Sequence, residues 1–323
     1  MAERFRDGLV HHFRGLDPLP QELRGASVAL GNFDGVHLGH QAILGAARAV
    51  GRKLGVVTFE PHPRSVLRAP SRPFRLTSPA SKARALENLG VDLLVEIPFD
   101  RDFAQLPPEA FVQRVLGEIV GASHVVVGAD FRFGANRAGT SQSLKDLGPR
   151  HGFGVTIVEE VQAEDGQAFS STAIRRHLRE GRPQEAAQML GRWWEVEGVV
   201  FTGHQRGRTI GFPTANLSLG DLLEPALGVY AVRCAVGDED DLSWLDGIAN
   251  IGRRPTVDGE TLLLETHVFD FDGDLYGKRM RVQLLGFIRP ERKFGNLDEL
   301  RNQIARDCDT ARSILAETPE TPL

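Results

Sequence analysis

The chain has 323 residues, 41% of them hydrophobic and 25% charged, which is ordinary composition for a water-soluble globular protein and enough length for about two domains. A formal net charge of -5 gives no global basic field, so a nucleic-acid partner is not expected, and anionic small ligands need only local basic groups. Two cysteines, Cys234 and Cys308, cannot build a disulfide framework, the N-terminus lacks the apolar core of a secretory signal, and no apolar run approaches about 18 residues; a cytoplasmic chain with no membrane span is expected.

In chain order, Ala26 to Leu30 reads as a short buried strand, and Leu38 to Val50 has helical spacing. Between them stands Gly31-Asn32-Phe33-Asp34-Gly35-Val36-His37-Leu38-Gly39-His40, where a strand turns into a helix. Orphan N–H groups and the positive helix end suit a phosphate there. His37 and His40 are three apart and share one face, and Gly39 lets a phosphate approach the backbone. A bare pair at this spacing also reads as a helix cap or an adventitious metal site.

Strands at Gly55 to Phe59, Leu93 to Ile97, His124 to Val127 and Val155 to Val158, with helices at Ser81 to Leu89 and Glu109 to Val120, continue the alternation. That pattern predicts a parallel sheet with helices on both faces and ligands at the strand carboxyl ends. The turns at Phe59 to Pro63 and Gly128 to Gly139 also follow strands, so they can converge with the His37 turn. Past Gly181-Arg182-Pro183, a turn-prone linker, strands at Glu195 to Phe201, Gly228 to Val236, Leu245 to Ile251, Leu262 to Phe269 and Arg279 to Phe287 have no helices between them. They predict a small antiparallel barrel, closed by a helix over Leu297 to Leu315. The expected division is 1–183 and 184–323, and Cys234 is expected in the barrel core.

Gly31 to His40 resembles the His-x-Gly-His signature of the nucleotidylyltransferase superfamily in its flavin-nucleotide branch. The resemblance implies a Rossmann-like fold, with His37 and His40 steadying ATP phosphates and Asn32, Phe33, Gly35 and Gly39 in the nucleotide loop. Gly128-Ala129-Asp130-Phe131-Arg132-Phe133-Gly134 resembles a loop of bacterial flavin adenylyltransferases, which places Asp130 toward the nucleotide; alone it is a tight turn. Ser170-Ser171-Thr172-Ala173-Ile174-Arg175 reads as a capped helix start and resembles the superfamily's second signature, in which Ser171, Thr172 and Arg175 hold the triphosphate.

A second module is Gly207-Arg208-Thr209-Ile210-Gly211-Phe212-Pro213-Thr214-Ala215-Asn216. Thr214 and Asn216 supply oxygens two residues apart, on one side of an extended segment, and could share a Mg²⁺; the glycines let N–H groups wrap phosphates. Resemblance to riboflavin kinases implies that Gly207, Arg208, Gly211 and Pro213 bind ATP. Glu265, in Leu264-Glu265-Thr266-His267-Val268, stands where riboflavin kinases have their general base, although alone it reads as an ion-paired strand residue. Asn250-Ile251-Gly252 and Arg289-Pro290-Glu291 also resemble that family, whereas Gly191-Arg192-Trp193-Trp194 departs from its usual Gly-Arg-Pro-Tyr.

Together the modules resemble the bifunctional bacterial riboflavin kinase/FAD synthetase family over about Val28 to Leu315. The implied activities are phosphorylation of riboflavin to FMN by the C-terminal domain and adenylyl transfer from ATP to FMN, giving FAD and pyrophosphate, by the N-terminal one. ATP is co-substrate and Mg²⁺ the cofactor. The alternatives are an enzyme with only one of these activities and a flavin- or nucleotide-binding regulator without turnover.

Overall fold

The computed structural model of the chain describes residues 3–4, 10–67, 72–163, 166–202, 211–237, 243–256 and 259–322. The chain divides into two compact units. One comprises Met1–Ser71 and Thr77–Ser170, the other Arg72–Leu76 and Ser171–Leu323.

The first unit is built on a seven-stranded sheet. Its strands are β1 (Glu3–Arg4), β2 (His11–Arg14), β3 (Ser27–Leu30), β4 (Leu54–Glu60), β5 (Leu93–Pro98), β6 (His124–Gly128) and, after the short β7 (Arg132–Phe133) and β8 (Gly139–Thr140), β9 (Gly154–Val158). The order is β1-β2-β5-β4-β3-β6-β9, with β1 antiparallel to β2 and the other pairs parallel. Central strands read as apolar runs because both faces are covered: every residue of β3 is buried, as are Val125, Val126 and Val127. Phe111, Leu116 and Leu144 pack on one face with Val28 and Leu30, while Leu44, Ala47 and Leu86 pack on the other with Ala29 and Val56. Burying a single Leu or Val of this kind contributes about 1.5–3 kcal/mol.

Helices α1 (Leu38–Ala49), α2 (Pro63–Leu67), α3 (Pro79–Asn88), α4 (Pro108–Phe111) and α5 (Ser141–Leu147) connect the strands. Pro79 stands in the first turn of α3, where its missing N–H costs nothing, and Ser78 caps that turn by accepting from Ser81 N. The helix foreseen at Glu109 to Val120 continues past α4 in wider turns through Val112–Val120 and stops at Gly121.

Strand β2 carries two histidines and an arginine, and a buried carboxylate makes it tolerable. Glu96 on β5 is 2% exposed; its Oε2 accepts from Arg14 Nε at 2.7 Å and lies 3.0 Å from His12 Nε2. Burial alone would raise its pKa, but the His12 hydrogen bond with the charges of His12, Lys82 and Arg14 together outweigh burial and hold the carboxyl below its ordinary value. A depressed folded value means that this stabilisation is complete above the unfolded carboxylate pKa and is lost as pH falls through the folded one. Glu96→Gln should therefore cost roughly 1.5–3 kcal/mol at neutral pH, the worth of hydrogen bonds to a charged group, and little in acid. Denaturant unfolding at both pH values checks this, and the same penalty at both would exclude the charge as the cause.

The second unit is a six-stranded antiparallel sheet curled into a nearly closed barrel. Its strands are β10 (Glu195–Val199), β11 (Ala215–Ser218), β12 (Gly228–Val236), β13 (Ser243–Thr256), β14 (Gly259–Val268) and β15 (Arg279–Pro290), in the order β10-β15-β12-β13-β14-β11. A bridge between Phe201 and Asn216 joins the two edges just past the end of β10. Alternation sends Tyr230, Val232, Cys234, Ile251, Leu264, Leu217 and Leu284 to the interior, all fully or nearly fully buried. Burial pushes the Cys234 thiol well above its usual range, which fits core packing rather than nucleophilic chemistry.

The outer face carries Val229, Ala231, Ile248 and Leu285, which pack under Ala311 and Leu315 of the terminal helix Leu297–Glu317. Asn296 caps that helix by accepting from Glu299 N. Arg289 of β15 holds buried Asp307 with three hydrogen bonds of 2.7–3.1 Å, which fixes the helix against the sheet. Helices α6 (Ser171–Arg179) and α7 (Pro183–Leu190) also belong to this unit. The expected boundary at 183/184 and this division at 170/171 thus differ by α6, whose Leu178 O accepts from Ala226 N at 2.9 Å.

Candidate functional site

The first candidate site lies at the carboxyl ends of β4, β3 and β6, which are neighbours in the sheet. The turn at Pro61 to Pro63, the Gly31 to His40 loop and the Gly128 to Asp130 turn leave from these three ends, so adjacent strands bring them to one edge.

His37 caps α1: its Nδ1 accepts from His40 N–H at 3.3 Å. A ring nitrogen that accepts leaves the proton of the neutral imidazole on Nε2, which makes that atom a donor. The two rings stack with centroids 3.6 Å apart, so the pair acts from one place. Gly39 is required sterically, since a Cβ would sit 2.9 Å from Phe169 O and 3.1 Å from His37 Nδ1. Gly35 is left-handed at φ 91°, as glycine permits, but Phe33 and Val36 hold φ of 51° and 43° with full side chains. Such residues persist only where their surroundings over-determine them. Phe33 is wholly buried.

Asn32 O accepts from Thr58 Oγ1 at 3.1 Å. Asp34, buried in the loop, accepts from both N and Oγ1 of Thr77, and Thr77 Oγ1 accepts from Gly35 N at 3.3 Å. Thr77 escaped sequence reasoning because it lies 43 residues beyond Asp34, outside any local motif. Asp130 is exposed at the end of β6, and Ser141 Oγ donates to Ala129 O at 2.9 Å beside it. Ser171 and Thr172 begin α6 directly after Phe169 and Ser170, the last residues of the first unit, and Phe169 O is the atom that packs on Gly39. Arg175 is buried in the second unit, where its Nε donates to Phe74 O at 2.8 Å.

The second candidate site is on the barrel's outer face. Register pairs Asn216 of β11 with Glu265 of β14, and Glu265 with Asn250 of β13, so three polar side chains form one row across adjacent strands. Asn216 is buried and Glu265 half-buried. Thr214 is half-buried immediately before β11, and Pro213 O accepts from His267 Nδ1 at 2.8 Å, which ties this segment to β14. Asn250 Nδ2 donates to Glu291 Oε1 at 2.9 Å. Gly211 is exposed at φ 89°, while Gly207 and Arg208 lie outside the described residues. Hard oxygen donors at Thr214 and Asn216 suit Mg²⁺, and no group of three or more His, Cys, Asp or Glu that could hold a metal occurs among the described residues.

The two halves match two family models: FAD synthetase over residues 19–173 and riboflavin kinase over residues 190–315. The chain is 41% identical to the bifunctional riboflavin kinase/FMN adenylyltransferase of Escherichia coli K12, over 96% of this chain and 98% of that one. It belongs to the bifunctional riboflavin kinase/FMN adenylyltransferase family. The Bacillus subtilis member is 37% identical over 91% of this chain and 93% of its own. A crystal structure described as a macrolide-efflux protein from Streptococcus pneumoniae is similar throughout, with TM-score 0.80, 32% identity and coverage of 93% and 98%. Among the described residues of the present chain, no helix is long and apolar enough to cross a membrane.

Proposed function

We propose that this chain makes FAD from riboflavin in two ATP-dependent steps, each carried by one unit. It is a riboflavin kinase and FMN adenylyltransferase, and the residue assignments that follow are our reading of the two sites. The observation that carries it is the separation of the two constellations: the His37–His40 pair lies in one unit and the Asn216–Glu265–Asn250 row in the other.

In the barrel, Glu265 accepts the proton of the terminal ribityl hydroxyl as that oxygen attacks the γ-phosphorus of ATP, and ADP leaves. Thr214 Oγ1 and Asn216 Oδ1 would hold Mg²⁺ together with phosphate oxygens, and the ion supplies neutralising charge to the transferring group. Gly211 and Pro213, with Gly207 and Arg208, belong to the same nucleotide loop. In the other unit, a phosphate oxygen of FMN attacks the α-phosphorus of ATP and pyrophosphate leaves. His37 and His40 donate hydrogen bonds to the phosphates as charge shifts, and the Asn32–Gly35 turn, Gly39 and Asp130 shape the pocket.

Incubation with riboflavin, ATP and Mg²⁺ followed by flavin chromatography tests this directly. FMN should form first and FAD after it. FMN alone would leave only the kinase, and neither product would leave a binding protein.

A fragment starting at Gln184 keeps all six barrel strands and the terminal helix, and we expect it to fold and make FMN but no FAD. It lacks Leu178 and Arg75, whose carbonyls accept from Ala226 and Leu223 at 2.9 and 2.7 Å, so its melting temperature should fall below that of the barrel in the full chain. A soluble full chain with an insoluble or flavin-inert fragment would refute the boundary.

A further inference from the structure

Lys82 of α3 is 2% exposed, and a lysine is almost never buried so deeply without partners. Its Nζ donates to two residues of β4, Thr58 Oγ1 at 3.3 Å and Glu60 Oε2 at 3.4 Å. Burying an ammonium is costly, and pairing it with one carboxylate does not by itself recover the cost. Packing alone would be served as well by methionine, so the value of the amine lies in what it donates to.

An ammonium has three donors and no acceptor, so Thr58 can only accept from it. The single hydroxyl proton of Thr58 is left for another acceptor, and it goes to Asn32 O at 3.1 Å. Lys82, Thr58 and Asn32 thus form one chain of hydrogen bonds that runs in one sense, and each bond polarises the next. Thr58 is wholly buried, which shields the Lys82–Thr58 bond from water. All three residues belong to the first unit, as does the loop that receives the chain of bonds.

Asn32 immediately precedes Phe33, the first of the two non-glycine residues held in left-handed conformations, and the same loop runs through Val36 into His37 and His40. A peptide group is a rigid plane, so holding Asn32 O fixes the plane of the peptide that leads into Phe33. Left-handed geometry at a bulky residue persists only where its surroundings over-determine it, and Thr58 supplies one such constraint from β4, the strand paired with β3.

We propose that Lys82 is a positioning residue for adenylyl transfer, acting through Thr58 and Asn32 O on the loop that carries His37 and His40. The proposal rests on the reading of Gly31 to His40 as the adenylyl-transfer loop. A lysine that served the fold alone would change stability and leave the rate of each folded molecule as it was.

The first test leaves the lysine in place. Thr58→Val in the full chain keeps the shape and strand preference of the side chain and removes the hydroxyl that joins Lys82 to the loop. The kcat for adenylylation of supplied FMN should fall roughly tenfold, on the scale of one buried hydrogen bond, with the KM for FMN and riboflavin phosphorylation each within about twofold. Thr58→Ser returns the hydroxyl and should restore most of the rate. Lys82→Met keeps the stem, removes the donor and should give the same selective loss as Thr58→Val. The double variant should lose less than the product of the two single losses, since both residues act in one chain of bonds. A parental kcat in Thr58→Val, a serine variant as slow as the valine one, an equal loss in both reactions, or multiplicative losses would overturn the proposal. A readout independent of how Lys82→Met folds is the nitrogen resonance of the native Lys82 ammonium, which should move in Thr58→Val; an unchanged resonance would also overturn it. Should His37→Ala and His40→Ala leave adenylylation intact, the loop reading fails instead, and the resonance measurement separates that failure from a failure of the hydrogen-bond chain.

Discussion

Glu265→Gln should lower riboflavin phosphorylation by roughly 10²- to 10⁴-fold, the usual worth of a positioned acid or base. Glutamine keeps the shape of the side chain and its place in the row with Asn216 and Asn250, so the β11–β14–β13 register is untouched and only the proton acceptor is lost. Thr214→Ala provides the contrast. It removes the oxygen we propose as a Mg²⁺ ligand, so it should raise the KM for the magnesium–ATP complex as well as lower turnover. In both variants FAD should still form from supplied FMN, because that step belongs to the other unit. FMN and FAD yields measured in parallel from riboflavin and from FMN decide it, and a Glu265→Gln enzyme that phosphorylates riboflavin at the parental rate removes Glu265 from the mechanism.

The central sheet was legible because its strands are covered on both faces and therefore read as apolar runs; Val125 to Val127 and Leu93 to Ile97 announce themselves locally. The barrel strands were legible from the other periodicity, with Gly228 to Val236 foreseen at its observed bounds. Strand β2 was not, since His11-His12-Phe13-Arg14 offers one buried apolar residue and is stabilised by a carboxylate 82 positions beyond Arg14. Strand β11, four residues long, was foreseen only as an extended segment around Asn216.

The His37–Gly39–His40 motif was legible because it lies within one short span, whereas the register row joins residues 216, 250 and 265 across three strands and shows only in the sheet pairing. What the sequence hides is support from afar. Thr77 holds Asp34 across 43 residues, and Trp194 holds Leu76 across 118, with no periodicity or spacing to signal either bond. Arg175 is an intermediate case. Its residue type suits phosphate, yet its Nε is engaged by Phe74 O, so in this structure part of its donor capacity orders a neighbouring segment.

His37→Ala and His40→Ala should each lower FMN adenylylation by roughly 10²- to 10³-fold, the effect of losing one preorganised donor to developing charge, while riboflavin phosphorylation is spared. The two histidines are not equivalent structurally, and that difference separates catalysis from folding. His37 caps α1 through its side chain, so alanine there also removes a helix cap worth about 1 kcal/mol, whereas His40 takes part in that cap only through its backbone N–H. His40→Ala should therefore lose activity with little change in melting temperature, and His37→Ala should lose both. His37→Asn discriminates further: asparagine restores an N-cap acceptor but offers no imidazole Nε2–H at the stacked position 3.6 Å from the His40 ring. Its stability should return while adenylylation stays low. Recovery of adenylylation in His37→Asn would make His37 a cap and nothing more, and loss of both reactions in folded His40→Ala would show that the pair does not serve one site alone.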